Sequence, residues 1–238
     1  MRKDDIYELL EDVDDYLATI ADKYTKVKDN PEIKEIVKGR VKSSMEHLRS
    51  CLDYCLHDID EQILKKHRKT LYFPYKNSKN EFKEAIKNQF KGLKNKSPEI
   101  YSILESVQDF NNQELPWLNI LCKRTNVVKH DKLLKQKRQD NQASSIPGLV
   151  RVSENAQIKF DNVLLINDKK ESIPMNFTLG SKGVIASKGP IDERITIEKI
   201  NWVTFTINGT NRDVLEFLTQ CRNEIGEMVR KIYREIEN

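Results

Sequence analysis

An arginine and a histidine with five residues between them, Arg124 and His130, could act together on a phosphodiester. The planar guanidinium of arginine donates several hydrogen bonds to a charged phosphate. The pKa of histidine lies near neutrality, so an imidazole can take up or release the proton that moves when such a bond breaks. Asn126 and Lys129 in the same segment offer further donors. We expect no cofactor for this chain.

A second pair with similar spacing, Arg40 and His47, shows that the spacing alone is weak evidence. With twelve arginines and four histidines in the chain, chance gives about 0.6 matches to a short pattern of this kind. The surroundings differ, because the first pair lies in a basic segment and the second lies within a long predicted helix. The lysines of the basic segment that we expect to contact RNA are Lys123, Lys132 and Lys135.

The sequence gives less support for a metal site or a hydrolase site than for the pair Arg124 and His130. His47, Cys51 and Cys55 fall at i, i+4 and i+8 of a predicted helix. The outer two lie about 12 Å apart along its axis, too far to share one zinc ion, whose ligands are about 2.0–2.3 Å away. Buried cysteines are the better interpretation, and no metal site is predicted. Gly-x-Ser-x-Gly and Gly-x-x-x-x-Gly-Lys segments are absent, which argues against a serine hydrolase and a phosphate-binding loop.

The formal net charge of +4 hides a division along the chain. Residues 1–30 have a net charge of −4, residues 64–96 one of +9, and residues 123–138 one of +6. Local excesses of this size attract polyanions such as RNA. A solvated, lysine-rich surface with no ligand explains the same composition.

Apolar residues at helical spacing predict a long antiparallel hairpin at the start of the chain. The first helix covers residues 6–27, and the second runs for about 34 residues, from Pro31 to Ile63. Shorter helices follow over residues 81–93, from Pro98 behind a Ser97 cap, and from Pro116 toward residue 134.

The pattern changes after residue 142. Residues 143–148 are predicted to form a linker or a turn, and five segments rich in β-branched residues follow, with turns at residues 167–168 and 180–183. Residues 208–211 end this section and cap a last amphipathic helix that packs on the sheet or on the bundle. The prediction is an α+β chain, with a helical bundle over residues 1–142 and a small antiparallel sheet with a closing C-terminal helix over residues 143–238.

The segment from Arg124 to His130 resembles the arginine–histidine signature of HEPN domains, helical bundles often found in RNA-cleaving toxins and antiphage defence proteins. In that family the two residues lie at a helix start and face their counterparts across a homodimer. The resemblance implies metal-independent RNA cleavage with Arg124 and His130 as catalytic residues, a homodimer, and a defence-system or antitoxin partner. Thr125 stands where active members usually have Asn, Asp or His, and Asn126 follows one place later.

A looser resemblance covers residues 40–238. The chain is similar to a group of uncharacterised bacterial HEPN-like proteins at four places: Leu-Arg-Ser-Cys-Leu-Asp at 48–53, Phe-Pro at 73–74, Leu118 with Leu121, and Lys-His-Asp at 129–131. Members of that group have a β-section and a closing helix behind the bundle. Arg49 and Asp53 are four positions apart, which predicts an ion pair on one helix. If they face Arg124 and His130, they support the site.

Three functions remain open from the sequence. The first is a metal-independent ribonuclease, the second a non-catalytic HEPN-like module that binds RNA, a nucleotide or a protein, and the third a helical scaffold that pairs with another chain. The longest apolar runs have four or five residues, and the first five residues are Met-Arg-Lys-Asp-Asp. We therefore expect no membrane helix and no secretory signal, and a cytoplasmic protein with reduced cysteines.

Overall fold

The chain has a mixed α+β fold, as the sequence predicts. A computed structural model describes residues 1–130 and 133–237, and for residues 128–130 it describes the helix but not the side chains. The helices are α1 (Lys3–Val27), α2 (Lys38–Gln62), α3 (Lys79–Gln89), α4 (Leu93–Lys96), α5 (Pro98–Ser106), α6 (Leu118–His130) and α7 (Val214–Glu237), with a 3-10 turn at Asp109–Asn111. The strands are β1 (Gln136–Ile146), β2 (Val150–Ser153), β3 (Gln157–Lys159), β4 (Val163–Ile166), β5 (Ser172–Met175), β6 (Phe177–Gly180), β7 (Gly183–Ser187) and β8 (Glu198–Ile207).

The chain forms two compact units. A helical unit comprises residues 1–23, 34–137 and 205–238, and a β unit comprises residues 24–33 and 138–204. The predicted division at residue 142 falls within β1, and the closing helix α7 belongs to the helical unit. Within the described part of the chain, no helix is long and apolar enough to cross a membrane.

Helix α1 runs antiparallel to both α2 and α7, which confirms the predicted hairpin. Asp58, near the end of α2, accepts hydrogen bonds from the Arg2 backbone N–H at 2.7 Å and from its guanidinium at 2.8 Å. The Tyr233 hydroxyl of α7 donates to the same carboxylate at 2.6 Å. Further along α1, Asp14 pairs with Arg222 of α7. The three helices therefore share one buried polar contact at this end.

The second helix starts later than the sequence predicts. It begins at Lys38 rather than Pro31 and is 25 residues long, and residues 28–37 are irregular. Val37 has a φ of 33°, a left-handed conformation that interrupts a helix. In the β unit, the guanidinium of Arg138 donates to the carbonyls of Val27, Asn30 and Ile33 at 2.6–3.0 Å. The Val27 and Asn30 carbonyls also accept the backbone N–H groups of Asn30 and Ile33 at 3.1 and 3.3 Å, so this segment is a series of turns bound by a distant side chain.

One predicted helix cap is confirmed and another is wrong. Ser97 accepts a hydrogen bond from the Ile100 N–H at 3.2 Å with Pro98 in the first turn, which confirms that cap. The prediction that residues 208–211 cap the last helix is wrong. Asp213 caps α7 instead, because its carboxylate accepts from the N–H groups of Leu215 and Glu216. Helix α6 ends at His130 and does not reach residue 134.

The β unit encloses its own apolar core. Its buried side chains include Phe160, Ile173, Met175, Phe177 and Leu179. The strand order is β2-β1-β8 in one sheet and β3-β6-β7 in a second, and β4 and β5 form a separate hairpin. The turns predicted at residues 167–168 and 180–183 are confirmed, because they join β4 to β5 and β6 to β7. Of the two alternatives predicted for residues 143–148, the linker is wrong, since residues 143–146 belong to β1 and pair with β2, whereas residues 147–149 form a turn between these strands.

Replacing Tyr233 by phenylalanine should lower the free energy of unfolding by about 2 kcal/mol, because a buried hydrogen bond to a charged group is lost. Burial, together with the hydrogen bond to Asp58, raises the pKa of Tyr233 well above its ordinary value. A raised pKa stabilises the fold below pH 10, and this contribution declines above the unfolded pKa of about 10. Urea unfolding at pH 7 and above pH 10 measures both effects. Tyr72→Phe is the control, since Tyr72 is 65% exposed, and an equal loss in both variants would contradict the assignment.

Candidate functional site

Helix α6, which carries the predicted catalytic residues, is held at its start by one carboxylate. Asp109 accepts hydrogen bonds from the backbone N–H groups of Trp117, Leu118 and Asn119 at 2.9, 3.0 and 2.7 Å. The Asn119 side-chain amide donates to it as well, at 2.9 Å. The first N–H groups of a helix have no partner within the helix, and they carry its positive dipole end. A nearly buried carboxylate therefore fixes both the position and the direction of α6.

The faces of α6 separate buried from exposed residues. Leu118, Leu121 and Cys122 are fully buried, and the Thr125 hydroxyl donates to the Leu121 carbonyl at 2.7 Å. Lys123 and Asn126 are exposed, and Arg124 is half-buried between the two faces. Thr125 is thus part of the core, while Asn126 belongs to the outer surface.

The turn after β8 brings Arg124 close to Lys135. A Cβ atom added at Gly209 would lie 2.8 Å from the Arg124 Nη2 atom, so the guanidinium rests against this glycine. Gly209 also has a φ of 75°, which favours glycine. Its neighbour Asn208 donates its backbone N–H to the Lys135 carbonyl at 3.0 Å. We call Arg124, Lys135 and the turn Asn208–Gly209 the Gly209 corner.

The Gly209 corner has an excess of positive charge. Arg124 forms no ion pair with any carboxylate in the described part of the chain. Lys135 has Glu35 nearby, because that carboxylate accepts the backbone N–H of Gln136 at 3.2 Å, but Glu35 forms its ion pair with Lys38. The side chain of Lys135 is exposed, and Lys123 adds an exposed ammonium from α6. An arginine that is positioned but not neutralised can accept a phosphate as its partner.

Arg49 and Asp53 have a bonding role within the helical unit. They form the predicted ion pair at 3.2 Å. The Arg49 guanidinium also donates to the Cys122 sulfur of α6 and lies 5.5 Å from the Tyr75 ring centre. Asp53 accepts the backbone N–H of Phe73 at 2.8 Å. Two segments that carry the looser family resemblance, at 48–53 and 73–74, therefore meet around one ion pair, which Cys122 of α6 also contacts.

Three predicted site residues lie wholly or partly outside the described residues. Lys132 lies outside the described residues, as do the side chains of Lys129 and His130. The helix itself includes position 130, its last residue, whereas Arg124 is in its middle. Six positions correspond to about 9 Å of rise and about 120° of rotation. The helix-start position that the resemblance implies is therefore not found here.

Helices α3 and α4 present a second basic surface. Of the eleven cations in residues 64–96, Arg68 pairs with Asp60 and Lys79 with Glu105. The other nine, all lysines, form no ion pair within the described ranges. Lys83, Lys87 and Lys94 line a cleft of about 300 Å³, and the Lys94 ammonium lies 5.2 Å from the Tyr101 ring centre. The prediction of a local positive excess is therefore reflected on the protein surface.

All four cysteines are buried and free, as the sequence predicts. Burial raises the pKa of the Cys51 and Cys122 thiols to about 12, so both are neutral at pH 7. The His47 ring contacts the Tyr16 ring, and its Nδ1 atom lies 3.0 Å from the Ser43 carbonyl. No group of three potential metal ligands occurs among the described residues.

Two residues that shape the site carry only weak sequence signals. Asp109 lies nine positions before Leu118, so no local capping pattern predicts that it holds α6. Gly209 is recognisable as a turn residue, but its contact with Arg124 spans 85 positions.

Comparisons with known protein families, with curated proteins and with solved structures find no match for the chain.

Replacing Asp109 by asparagine should destabilise the protein by about 2–3 kcal/mol, because the amide accepts fewer hydrogen bonds and introduces donors that face buried N–H groups. Urea unfolding measures the loss, and hydrogen exchange of the Leu121 and Cys122 amides should accelerate more than exchange in α7. Asp168→Asn, in an exposed turn, is the control. A loss below about 0.5 kcal/mol would show that α6 does not depend on this carboxylate.

Proposed function

We propose that the helical unit is a HEPN-like module that binds RNA at the Gly209 corner. The observation that carries this proposal is the placement of the Arg124 guanidinium, which is set against Gly209 and lacks a carboxylate partner among the described residues. Lys135 and Lys123 add ammonium groups on the same unit. Phosphate contacts of this kind supply most of the sequence-independent affinity for nucleic acids.

The second basic surface, on α3 and α4, supports the same function. Its unpaired lysines raise the local concentration of a polyanion near the helical unit without selecting one geometry. The Gly209 corner differs, because arginine recognises phosphate through a planar set of donors that is already in position. We therefore assign long-range attraction to the lysines of α3 and α4 and the directed contact to Arg124.

The proposed binding is tested by neutralising the corner. Arg124→Gln with Lys135→Gln should weaken binding of a single-stranded RNA oligonucleotide about fivefold to tenfold at low salt. The slope of log K against log salt should become shallower by about 1.4, from two phosphate contacts of about 0.7 each. Lys182→Gln with Lys199→Gln removes the same charge from exposed positions of the β unit and should change affinity less than twofold. Equal losses in the two double variants would overturn the assignment of the corner.

Cleavage of the bound RNA is a second candidate function, favoured by the row of positions on α6. Lys123 and Asn126 are exposed, and position 130 continues their row at a spacing of three and four residues. His130 would take the 2′-hydroxyl proton as that oxygen attacks phosphorus. The bond from phosphorus to the 5′-oxygen then breaks, and the leaving oxygen receives a proton. Arg124 would stabilise the charge that develops on the phosphate.

Incubation with total RNA in the presence of EDTA tests this reaction. The wild-type protein should cleave RNA and leave 2′,3′-cyclic phosphate ends, and both His130→Ala and Arg124→Ala should lower the rate at least about 100-fold. His47→Ala is the matched control, because Arg40 and His47 have a similar spacing but lie within α2. Binding without cleavage, or cleavage that persists in His130→Ala, would reduce the function to RNA binding alone.

A further inference from the structure

Strand β4 of the β unit has an unusually apolar and uncovered edge. Its four residues are Val163, Leu164, Leu165 and Ile166, and β5 is its only partner strand among the described residues. Leu165 packs on the core of the β unit. Leu164 and Ile166 are 64% and 67% exposed, more than any other leucine or isoleucine among the exposed hydrophobic residues. Exposed strand edges with apolar side chains pair readily with a further strand.

The register with β5 shows which backbone groups of β4 are free. Pro174 lies opposite Leu164 and has no N–H to donate. The Asn167 N–H donates to the Glu171 carbonyl at 3.1 Å. The backbone N–H and carbonyl groups of odd-numbered residues in this strand therefore point toward β5. Hydrogen-bonding direction alternates along an antiparallel strand. The N–H and carbonyl groups of Leu164 and Ile166 therefore point to the open edge, at the two residues whose side chains are most exposed.

Strand β7, another edge strand of the β unit with exposed apolar side chains, is less suited to pairing. Strand β7 carries the exposed Val184 and Ile185, but its pairing with β6 is irregular at Thr178 and Leu179. Such irregularity twists an edge away from a flat partner. Ile185 also contacts the position of Gly180, so its side chain is already used within the sheet. Strand β4 pairs regularly with β5, and its residues Leu164 and Ile166 remain mostly exposed. Its sequence contains no charged residue and no proline.

We propose that two copies of this chain associate by antiparallel pairing of their β4 strands, which joins two hairpins into one four-stranded sheet. Only even-numbered positions offer free backbone groups, so even residues must pair with even residues. A twofold axis at Leu165 places Leu164 of each copy opposite Ile166 of the other copy, which gives two identical apolar pairs. An axis at Leu164 would instead place Ile166 opposite Asn162, and an axis at Ile166 would place Leu164 opposite Asp168. The apolar match selects the axis at Leu165.

The ends of the paired strands are compatible in charge. Asp161, just before β4, is bound by Lys159 at 3.1 Å and by Lys188 at 2.6 Å, a cluster with one excess positive charge. In the selected register Asp161 lies opposite Lys169 of the second copy, in a β4–β5 turn where the charges of Asp168, Lys169, Lys170 and Glu171 cancel, so the paired ends do not repel through net charge. Four paired residues bury less than the roughly 1,200–2,000 Å² of a stable interface. The dimer is therefore weak and depends on concentration.

Sedimentation velocity at rising protein concentration tests this pairing. The wild-type protein should show a reversible monomer–dimer equilibrium, and Leu164→Lys should shift it at least about tenfold toward monomer, because each added charge faces Ile166. Adding Ile166→Glu to Leu164→Lys should restore the dimer, since the selected register pairs each new lysine with a new glutamate. Ile185→Lys, on the edge of β7, should leave the equilibrium unchanged.

Thermal unfolding of each variant distinguishes loss of the dimer from loss of the fold, and we expect the fold to persist because the substituted side chains are mostly exposed. A wild-type protein that stays monomeric at about 200 µM, where even a weak association is populated, would overturn the proposal. A dimer that persists in Leu164→Lys, or a double variant that stays monomeric, would overturn it as well.

Discussion

The carboxylate of Asp109 is the contact on which the candidate site depends most. It binds the first N–H groups of α6 from a 3-10 turn that is separate from that helix. A helix start buried without such a partner would leave several donors unsatisfied, at a cost of about 1–3 kcal/mol each. Because α6 is rigid from this point, the placement of Arg124 follows from the cap and from the buried face of the helix. Gly209 then provides the space in which the guanidinium lies.

Local signals in the sequence account for much of the fold. The apolar stripe of α1, the Ser97 cap and the two β hairpins all depend on residues within a few positions of each other, and each was predictable. The start of α2 and the strand β1 were not. The irregular segment before α2 is bound by Arg138, more than 100 positions away. Residues 143–146 of β1 include an alanine and two serines, a composition typical of a linker or a turn.

The candidate site shows the same distinction. The basic character of residues 123–138 and the ion pair of Arg49 with Asp53 followed from composition and spacing. The contact of Arg124 with Gly209 joins residues that only the folded chain brings together, so no local pattern could indicate it. Position matters for the chemistry as well, because an arginine next to a carboxylate is satisfied, whereas one set against a glycine keeps its donors for a phosphate.

The two proposed surfaces belong to different units and have different physical origins. The Gly209 corner attracts an anion through charge that is not neutralised within the described chain, and salt weakens such binding. The β4 edge attracts a second copy through unpaired backbone groups and apolar side chains, so its strength depends little on salt. A change in ionic strength therefore separates RNA binding from self-association within one sample.

Lysine acetylation with and without a single-stranded RNA oligonucleotide, read by mass spectrometry, tests RNA binding at the Gly209 corner most directly. The account predicts that RNA slows acetylation of Lys123 and Lys135 several-fold, while the exposed Lys182 and Lys199 of the β unit react at the same rate. Equal protection of all four lysines, or protection confined to the β unit, would contradict it.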